Sequence, residues 1–428
     1  MSNKKQIIEV DNLPEQISPG TTYSINQPNP NTYTHGMFKY PCKFIPEIPK
    51  WAIRNYLKSK KGTVLDSFAG SGTTVLEAVL NGYEAYSTEI DDVAKLITKV
   101  KTTKLTQKEF NLLDIIYISI INGIDNEKLI IEIPEIYNLT HWFPEQTIKE
   151  LARMKKIIDG TKEENIRNFF YVCFVSIIKK VSFADNTSPK PYVSNKIIKT
   201  PPAVKKEFLN VYERYKKMEY ELMSINTPLG KSVILPGDAL DFYVDKKIDL
   251  AITSPPYINA FDYGRTMRLE NIWLGLLTEN ELQIKKKKYI GTEKIISKDE
   301  QKNLTVLNHS ALLKSIYYKI EGVDKKRALI VKKFFEDIEK NLLQVYNVLK
   351  KNGKYMIVIG NSSIRKINIE NWKIIEELAY NNGYETETFF NYIIKNPYIR
   401  IPRQGQGGKI SRDYILVLKK VNKDDSER

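Results

Sequence analysis

The sequence contains little of what disulfide, metal and membrane proteins need. Among its 428 residues there are two cysteines and three histidines. Two cysteines cannot form a disulfide framework, and neither Cys42 nor Cys173 has a histidine at the spacing of a zinc site. No apolar run reaches the roughly 18 to 20 residues that span a membrane, and the first residues lack the apolar stretch of a signal peptide. We therefore expect a soluble, cytoplasmic protein with no metal site and no membrane segment.

Negative charge is scarce relative to positive charge. The chain has 66 Lys and Arg against 51 Asp and Glu, which gives a formal net charge of +15. Such an excess favours a polyanionic partner, although a solvated basic surface is the simpler alternative. With 42% hydrophobic and 27% charged residues, the composition is that of a globular protein large enough to divide its core over two or three units.

The hydrophobic pattern predicts an α/β core that is interrupted by insertions. We assign the core to 33–104 and 231–428, and we expect the preceding residues, 1–32, to form a loop segment. Residues 105–230 have helical spacing and are predicted to be a mostly helical insertion. Residues 276–325 are predicted to be a second, smaller and Lys-rich insertion.

Two parts of the core have a readable local structure. Residues 63–90 have the strand–turn–helix–strand length of a βαβ unit. Two extended segments, 386–394 and 412–419, close the chain, and we expect them to form a hairpin at the edge of the sheet.

A glycine-rich turn lies between the first strand and the helix of the βαβ unit. In Asp66-Ser-Phe-Ala-Gly-Ser-Gly-Thr-Thr74, two glycines let the backbone bend tightly and approach a ligand closely. Glu89 follows Asp66 at the offset where a carboxylate can accept hydrogen bonds from ribose hydroxyls. No Lys follows the glycines, so a triphosphate-binding loop is disfavoured. The turn therefore predicts a site for a nucleotide-like cofactor, with a merely structural βα turn as the alternative.

A second turn follows a strand much later in the chain, at Thr253-Ser-Pro-Pro-Tyr257. Its two prolines remove two backbone donors and stiffen the turn, so that neighbouring carbonyls are held out as acceptors beside an aromatic ring. Acceptors on an exocyclic amino group localise the nitrogen lone pair, and a base reached in this way has to leave the duplex. A diproline turn that caps a strand is the alternative.

These two motifs, together with Tyr33-Thr-His-Gly-Met-Phe-Lys-Tyr-Pro-Cys-Lys-Phe-Ile-Pro-Glu-Ile-Pro49, resemble the S-adenosylmethionine-dependent DNA amino-methyltransferases. Members of this family methylate N4 of cytosine or N6 of adenine. The resemblance covers the α/β core and implies a Rossmann-like class I methyltransferase fold, S-adenosylmethionine as cofactor and double-stranded DNA as substrate. It also implies base flipping.

The resemblance implies roles for fourteen residues. Ser254, Pro255, Pro256 and Tyr257 would hold the target amino group, with the Tyr257 ring stacked on the base. Glu89 would bind the ribose of the cofactor and Asp238 its adenine amino group. The residues implied to bind the cofactor are Lys43, Phe44, Asp66, Phe68, Gly70, Gly72, Thr73, Thr74, Glu89 and Asp238.

The resemblance also bears on the target base. Ser at the first position of the Ser-Pro-Pro-Tyr motif is more often associated with N4-cytosine methylation, whereas Asp or Asn is associated with N6-adenine. The cofactor motifs of this chain precede the catalytic motif, however, and many N4-cytosine enzymes have the reverse order. Cytosine N4 is the first hypothesis, as the modification half of a restriction–modification system with a cognate restriction endonuclease.

Other functions stay open at this point. Adenine N6, an amino group of RNA, and a nucleic-acid-binding protein with an inactive core are the alternatives. A cytosine C5 mechanism through Cys42 is disfavoured because this residue precedes the cofactor motifs. DNA recognition is expected outside the core, and the candidate phosphate contacts are Arg153, Lys155, Lys156, Lys179, Lys180, Arg265, Arg268 and Lys285 to Lys288.

Overall fold

The computed structural model describes residues 7–26, 29–41, 43–59, 61–196, 198–258, 263–291, 302–395 and 411–421. The strands are β1 (Ile7–Val10), β2 (Thr22–Ile25), β3 (Thr63–Asp66), β4 (Glu84–Ser87), β5 (Ser232–Ile234), β6 (Ile248–Thr253), β7 (Leu349–Gly360), β8 (Ser362–Ile364), β9 (Ile367–Ile369), β10 (Tyr384–Ile393) and β11 (Arg412–Lys420).

The helices of the first half are α1 (Glu47–Tyr56), α2 (Thr73–Leu80), α3 (Asp92–Lys101), α4 (Gln107–Ile124), α5 (Leu139–Trp142), α6 (Glu145–Asp159), α7 (Glu164–Ile178) and α8 (Val204–Met223). Those of the second half are α9 (Tyr263–Thr266), α10 (Arg268–Trp273), α11 (Glu279–Lys285), α12 (Ala311–Glu321), α13 (Lys325–Val348) and α14 (Asn371–Asn381).

The central sheet has the strand order β1-β2-β10-β11-β7-β6-β3-β4-β5. Strand β11 runs antiparallel to both of its neighbours, β10 and β7, and the other pairs are parallel. From β5 to β10 this is the strand order of a Rossmann-like class I methyltransferase. The predicted fold class is therefore confirmed.

The short core strands form because both faces of the sheet are covered. Successive residues of a strand point to opposite faces. Val64 accordingly packs with Trp51 and Val75 of the helices on one face, and Leu65 packs with Phe334 and Ile375 of the helices on the other. Strands that are buried on both sides appear in a sequence as continuous apolar runs, which is why β3 and β6 were predicted correctly.

The helices between residues 107 and 223 share a hydrophobic cluster of their own. Ile148, Phe170 and Phe208 from α6, α7 and α8 belong to it. The cluster extends to Ile97 of α3 and Trp273 of α10, both fully buried, so the helices are packed directly against elements that flank the two predicted site motifs.

The expectation that residues 1–32 form only a loop was wrong. Strands β1 and β2 lie there, and β2 pairs in parallel with β10. The hairpin of β10 and β11 is consequently not at the edge of the sheet. Tyr23 and Ile25 are buried against the cluster that holds Trp51 and Phe390, so a distant surface stabilises a strand of four residues whose own pattern is too short to be recognised.

Part of the predicted second insertion packs into the core layer. In α12, Leu313, Ile316 and Ile320 are buried in the same hydrophobic cluster as Phe334 of α13. Their spacing places them on one helical face, which explains why this stretch belongs to the layer that covers the sheet. No described helix is both long and apolar enough to cross a membrane.

Candidate functional site

The candidate site lies where the strand order reverses. From β3 the chain continues outward to β4 and β5, whereas β6 and β7 lie on the other side of β3. In open α/β sheets, ligands bind outside the carboxyl ends of the strands at such a point. The glycine-rich turn follows β3 and the diproline turn follows β6, so the topology brings the two motifs together.

A carboxyl group ties the ends of these two strands. Oδ1 of Asp66 accepts a hydrogen bond of 2.8 Å from Oγ1 of Thr253 and one of 3.1 Å from the backbone N–H of Phe68. Burial raises the pKa of Asp66 to about 6, and the hydrogen bonds from Thr253 and Phe68 oppose that rise. The relative position of the two turns is therefore fixed by bonds that are shielded from water.

The glycine-rich turn itself is held by its backbone groups. The N–H of Gly70 donates to Oε2 of Glu89 at 2.8 Å, and the Nζ of Lys101 donates to the carbonyl of Ser71 at 2.9 Å. Gly70 has a φ of +51°, and a Cβ at this position would lie 3.0 Å from the ring of Tyr40. The backbone of the turn thus approaches Tyr40 more closely than a side chain would allow. Tyr40 belongs to the segment 33–49, which we call the covering segment.

Gly72 is required for a different reason. It is the N-terminal cap of α2, with a φ of 76°. A Cβ here would lie 2.8 Å from both Cγ2 and Oγ1 of Thr98 on α3. The second glycine of the motif therefore lets two helices pack closely behind the turn.

Glu89 has acceptor capacity on the cleft side. Its two carboxylate oxygens accept from the backbone N–H groups of Gly70 and Asp91, at 2.8 and 2.9 Å. Burial raises the pKa of Glu89 to about 7, and the neighbouring Asp91 charge adds to this rise. Each oxygen keeps a lone pair, so the side chain can also accept hydrogen bonds from hydroxyl groups of a ligand.

Residues of the glycine-rich turn and of the diproline turn line one cleft together with Glu89. The volume of this cleft, including its open mouth, is about 840 Å³. The predicted site residues that line it are Lys43, Phe44, Phe68, Gly70, Thr73, Glu89, Asp238, Ser254 and Pro256.

Five predicted site residues do not line this cleft: Asp66, Gly72, Thr74, Pro255 and Tyr257. A direct contact of these five residues with the cofactor or the base stays a prediction. They lie in the wall behind the cleft. Asp66 binds Thr253 at the end of β6, and Gly72 faces α3. Burial alternates along the diproline turn, so Pro255 and Tyr257 are buried whereas Ser254 and Pro256 are partly exposed.

The side chain of Tyr257 is fixed by a residue far along the chain. Its hydroxyl donates to Oδ1 of Asp413 at 2.7 Å, and the hydroxyl of Tyr392 donates to Oδ2 of the same carboxylate at 2.9 Å. Burial raises the pKa of Asp413, whereas the two hydrogen bonds lower it. Only 9% of the Tyr257 surface is exposed, so little of its ring is accessible for the predicted stacking on a base.

Sequence reasoning missed several residues of the cleft. Tyr40, Tyr289 and Ile290 line it, and the hydroxyl of Tyr289 donates to Oδ2 of Asp91 at 3.2 Å. The only signal for Tyr289 and Ile290 is an aromatic and an aliphatic residue directly after the Lys run. Asn341 was missed as well: its Nδ2 donates to Oγ of Ser67 and to the carbonyl of Ala239, which links the glycine-rich turn to the loop of Asp238.

The covering segment is anchored beside the cleft. Nζ of Lys43 donates to the carbonyl of His35 at 2.8 Å, and Nε2 of His35 lies 2.8 Å from Oε1 of Glu77 on α2. Burial lowers the pKa of Lys43. An anionic group of a ligand would favour the charged form of this amine, which suits the carboxylate of an amino acid moiety.

Several candidate phosphate contacts are already engaged by other groups of the protein, among them Lys155, Lys180 and Lys285, which form ion pairs. Arg153 is buried and its Nη1 donates to the carbonyl of Ile124 at 3.1 Å. Arg268 forms an ion pair with Glu279. Cys42 lies outside the described residues. Within the described ranges, no group of three or more His, Cys, Asp or Glu side chains is arranged to hold a metal ion.

Comparison with known proteins bears on this site. A family model described as DNA methylase matches residues 2–100. The Type II methyltransferase M.MvaI of Kocuria varians is 26% identical over 446 aligned residues, which cover 98% of this chain and 97% of that protein. The Type II methyltransferase M.AvaI of Anabaena variabilis is 24% identical and covers 84% of this chain and 81% of its own.

These matches support an amino-methyltransferase. S-adenosylmethionine is its cofactor. The cleft fits this group by the free acceptor capacity of Glu89 and by the close approach of the Gly70 backbone. Among solved structures, the rRNA methyltransferase aviRa of Streptomyces viridochromogenes is 8% identical, covers 90% of this chain and 87% of its own, and gives a TM-score of 0.30.

Replacing Gly72 by Ala tests the packing behind the turn. We expect a loss of about 2 to 4 kcal/mol in the free energy of unfolding, because the strained φ and the contact with Thr98 both add cost. Gly275 is a matched control, since it has a φ of +71° but nothing within 4 Å of its Cβ position. Gly275→Ala should lose only about 1 to 2 kcal/mol. Equal losses in urea unfolding would show that the contact with Thr98 is unimportant.

Proposed function

We propose that this protein transfers a methyl group from S-adenosylmethionine to the exocyclic amino group of a base in double-stranded DNA. Cytosine N4 is the proposed target, and the proposed biological role is the modification half of a restriction–modification system. The observation that carries the proposal is one cleft in which the glycine-rich turn with Glu89 meets Ser254 and Pro256.

The DNA substrate and the restriction–modification role are supported by the relatives. They are named Type II methyltransferases, and one of them aligns over nearly the full length of both chains. A net charge of +15 suits a polyanionic substrate. Ser254 at the first motif position is the support for cytosine N4 over adenine N6.

The chain's own residues position the reactants. Glu89 would accept hydrogen bonds from the ribose hydroxyls, Asp238 would accept from the adenine amino group, and Lys43 and Phe44 would hold the methionine moiety. When bound, S-adenosylmethionine supplies an electrophilic methyl group. Asp66 and Gly72 act from behind, since they fix the backbone that these side chains extend from.

The catalytic turn acts through its acceptors. An exocyclic amino nitrogen is a poor nucleophile because its lone pair is delocalised into the ring. The carbonyls of Ser254 and Pro255 would accept from the two amino hydrogens, which would localise the nitrogen lone pair for attack on a methyl group, and the methylated nitrogen would then release one proton. Pro255 and Pro256 have no N–H that would compete for these acceptors. Catalysis rests on positioning and oriented dipoles, without a covalent intermediate.

The test is to incubate the purified protein and methyl-labelled S-adenosylmethionine with mixed-sequence duplex DNA and, in parallel, with mixed-sequence RNA, and to identify the labelled nucleoside by mass spectrometry. We expect label in N4-methylcytosine. Label in N6-methyladenine would keep the mechanism and overturn the base. Label in RNA alone would overturn DNA as the substrate, and binding of nucleic acid without any transfer would favour an inactive core.

Tyr257→Phe tests whether the bond to Asp413 orients the catalytic turn. We expect kcat to fall about tenfold, or about 1.4 kcal/mol in barrier, with affinity for S-adenosylhomocysteine unchanged. The fall follows from the loss of the hydrogen bond that holds the ring. Tyr392→Phe is the control, because it removes the other hydrogen bond to the same carboxylate. If both variants lost the same activity, the effect would come from a destabilised Asp413 and not from the orientation of Tyr257.

Glu89 predicts a pH dependence of cofactor binding. Its pKa is about 7 in the free protein, and ribose hydroxyls bind the charged form better. Affinity for S-adenosylhomocysteine should therefore rise as pH increases from 6 to 8, with release of a proton. Calorimetry of Glu89→Gln should show affinity weaker by about 1 to 3 kcal/mol and a smaller pH slope.

Glu219 is the matched control for this experiment. Burial raises its pKa to about 7 as well, but it accepts from the N–H of Leu105 and does not line the cleft. Glu219→Gln should keep the wild-type pH slope of binding. A slope that persisted in Glu89→Gln would assign it to another group.

A further inference from the structure

A second cleft lies between the helical insertion and the segment that follows the catalytic turn. We call it the insertion cleft, and its volume is about 1220 Å³, open mouth included. Helices α7, α8 and α10 contribute to it, together with the segment that covers the cofactor cleft. Its polar and charged lining residues are Lys39, Ser176, Lys179, Lys180, Asn186, Glu207, Arg214, Thr266 and Glu270.

The insertion cleft adjoins the cofactor cleft. Pro41 lines both of them, so one short segment separates the two. The catalytic turn at 254–257 leads along the chain to α9, which supplies Thr266, and to α10, which supplies Glu270. Whatever occupies the insertion cleft therefore lies next to the place where the target base has to enter.

The rim of the insertion cleft is basic. Four of its residues are cationic, Lys39, Lys179, Lys180 and Arg214, against two acidic residues. Lys180 is paired with Glu207 at 3.2 Å. Arg214 is exposed, its guanidinium lies 5.0 Å from the ring centroid of its neighbour Tyr215, and no described carboxylate forms an ion pair with it. A guanidinium in this setting suits a phosphate, which it can bind with two hydrogen bonds.

The floor of the insertion cleft holds an acceptor without a donor. Glu270 is 4% exposed, and its Oε2 has no hydrogen-bond partner among the described residues. Burial raises the pKa of Glu270 to about 7, while Lys179 lowers it and Asp91 raises it further. A buried carboxyl oxygen without a partner is costly, so a ligand that supplies a donor would gain free energy here.

We propose that the insertion cleft binds the DNA strand next to the target base, with Arg214 on a phosphate and Glu270 accepting from a base amino group. Cytosine and adenine each carry such a group, and carboxylates accept from the N4 of cytosine. The proposal rests on the proposed function and adds the elements that hold and read the substrate. A free inorganic anion fits less well, because the floor carries a carboxyl group.

The phosphate contact is tested with Arg214→Ala, and Lys319→Ala is the control. Lys319 is exposed on α12 and does not line the insertion cleft, so both variants remove one surface charge. Binding of a duplex pool with a randomised centre is measured in the presence of S-adenosylhomocysteine over a range of salt concentrations. We expect Arg214→Ala to weaken binding about tenfold and to reduce the slope of log Kd against log salt by about one. Equal binding by the two variants would overturn the proposal.

The base contact is tested with Glu270→Gln, which keeps the shape of the side chain. Methylated duplexes from the randomised pool are sequenced for the wild type and for the variant. We expect Glu270→Gln to change the sequence preference at one position next to the target base. Glu219→Gln, a buried acid outside both clefts, should leave the preference unchanged. An unchanged preference in Glu270→Gln would remove this residue from recognition.

The proposed function and the inference about the insertion cleft fail in different ways. If the wild-type protein neither binds duplex DNA nor transfers label to it, the proposed function is wrong. If the wild type binds and methylates DNA, but Arg214→Ala binds like Lys319→Ala, only the inference about the insertion cleft is wrong.

Discussion

The hydrogen bonds of Asp66 are the constraint on which the site depends. One carboxylate oxygen joins the start of the glycine-rich turn to Thr253, the last residue of β6. The residues on either side of this bond are 187 positions apart in sequence, yet their two turns form the walls of one cleft. A cofactor held by one turn can meet a base held by the other only if these strand ends keep their spacing. A shielded, charge-assisted bond provides that spacing.

The part of the site that could be predicted from the sequence has a local physical cause. Gly70 and Gly72 have positive φ values that most residues avoid, and β3 and β6 are buried on both faces. Such features are visible within ten residues. The offset of Glu89 from the turn is likewise set by the length of one helix and one strand. The strand order and the cleft of the class I fold follow from units of this kind.

The rest depends on contacts between distant residues. Asp413 reaches Tyr257 across 156 positions, and Asn341 reaches Ser67 across 274. Neither has a local pattern that distinguishes it from an ordinary buried polar residue. Strand β2 forms because it can pair with β10. The pattern of its four residues is too short to predict that pairing. Tyr289 directly follows a Lys run, so its local pattern is that of a basic surface and does not indicate a cofactor cleft.

The buried acids fall into two groups, according to whether protein donors satisfy their carboxyl oxygens. A carboxyl whose pKa is raised on folding binds protons in the folded state that the unfolded chain releases, so its contribution to stability falls as pH rises through the folded value. Asp66, Glu89 and Glu270, with pKa values of about 6, 7 and 7, all have this cost near neutral pH. For Asp66, the hydrogen bonds from Thr253 and Phe68 offset this cost. Glu89 has spare lone pairs and Glu270 has an oxygen without a partner among the described residues, so both can accept hydrogen bonds from a ligand. Both side chains line clefts. Incomplete satisfaction of the carboxyl oxygens, more than burial itself, therefore separates Glu89 and Glu270 from Asp66, and the ligand contacts proposed for these two acids rest on that property.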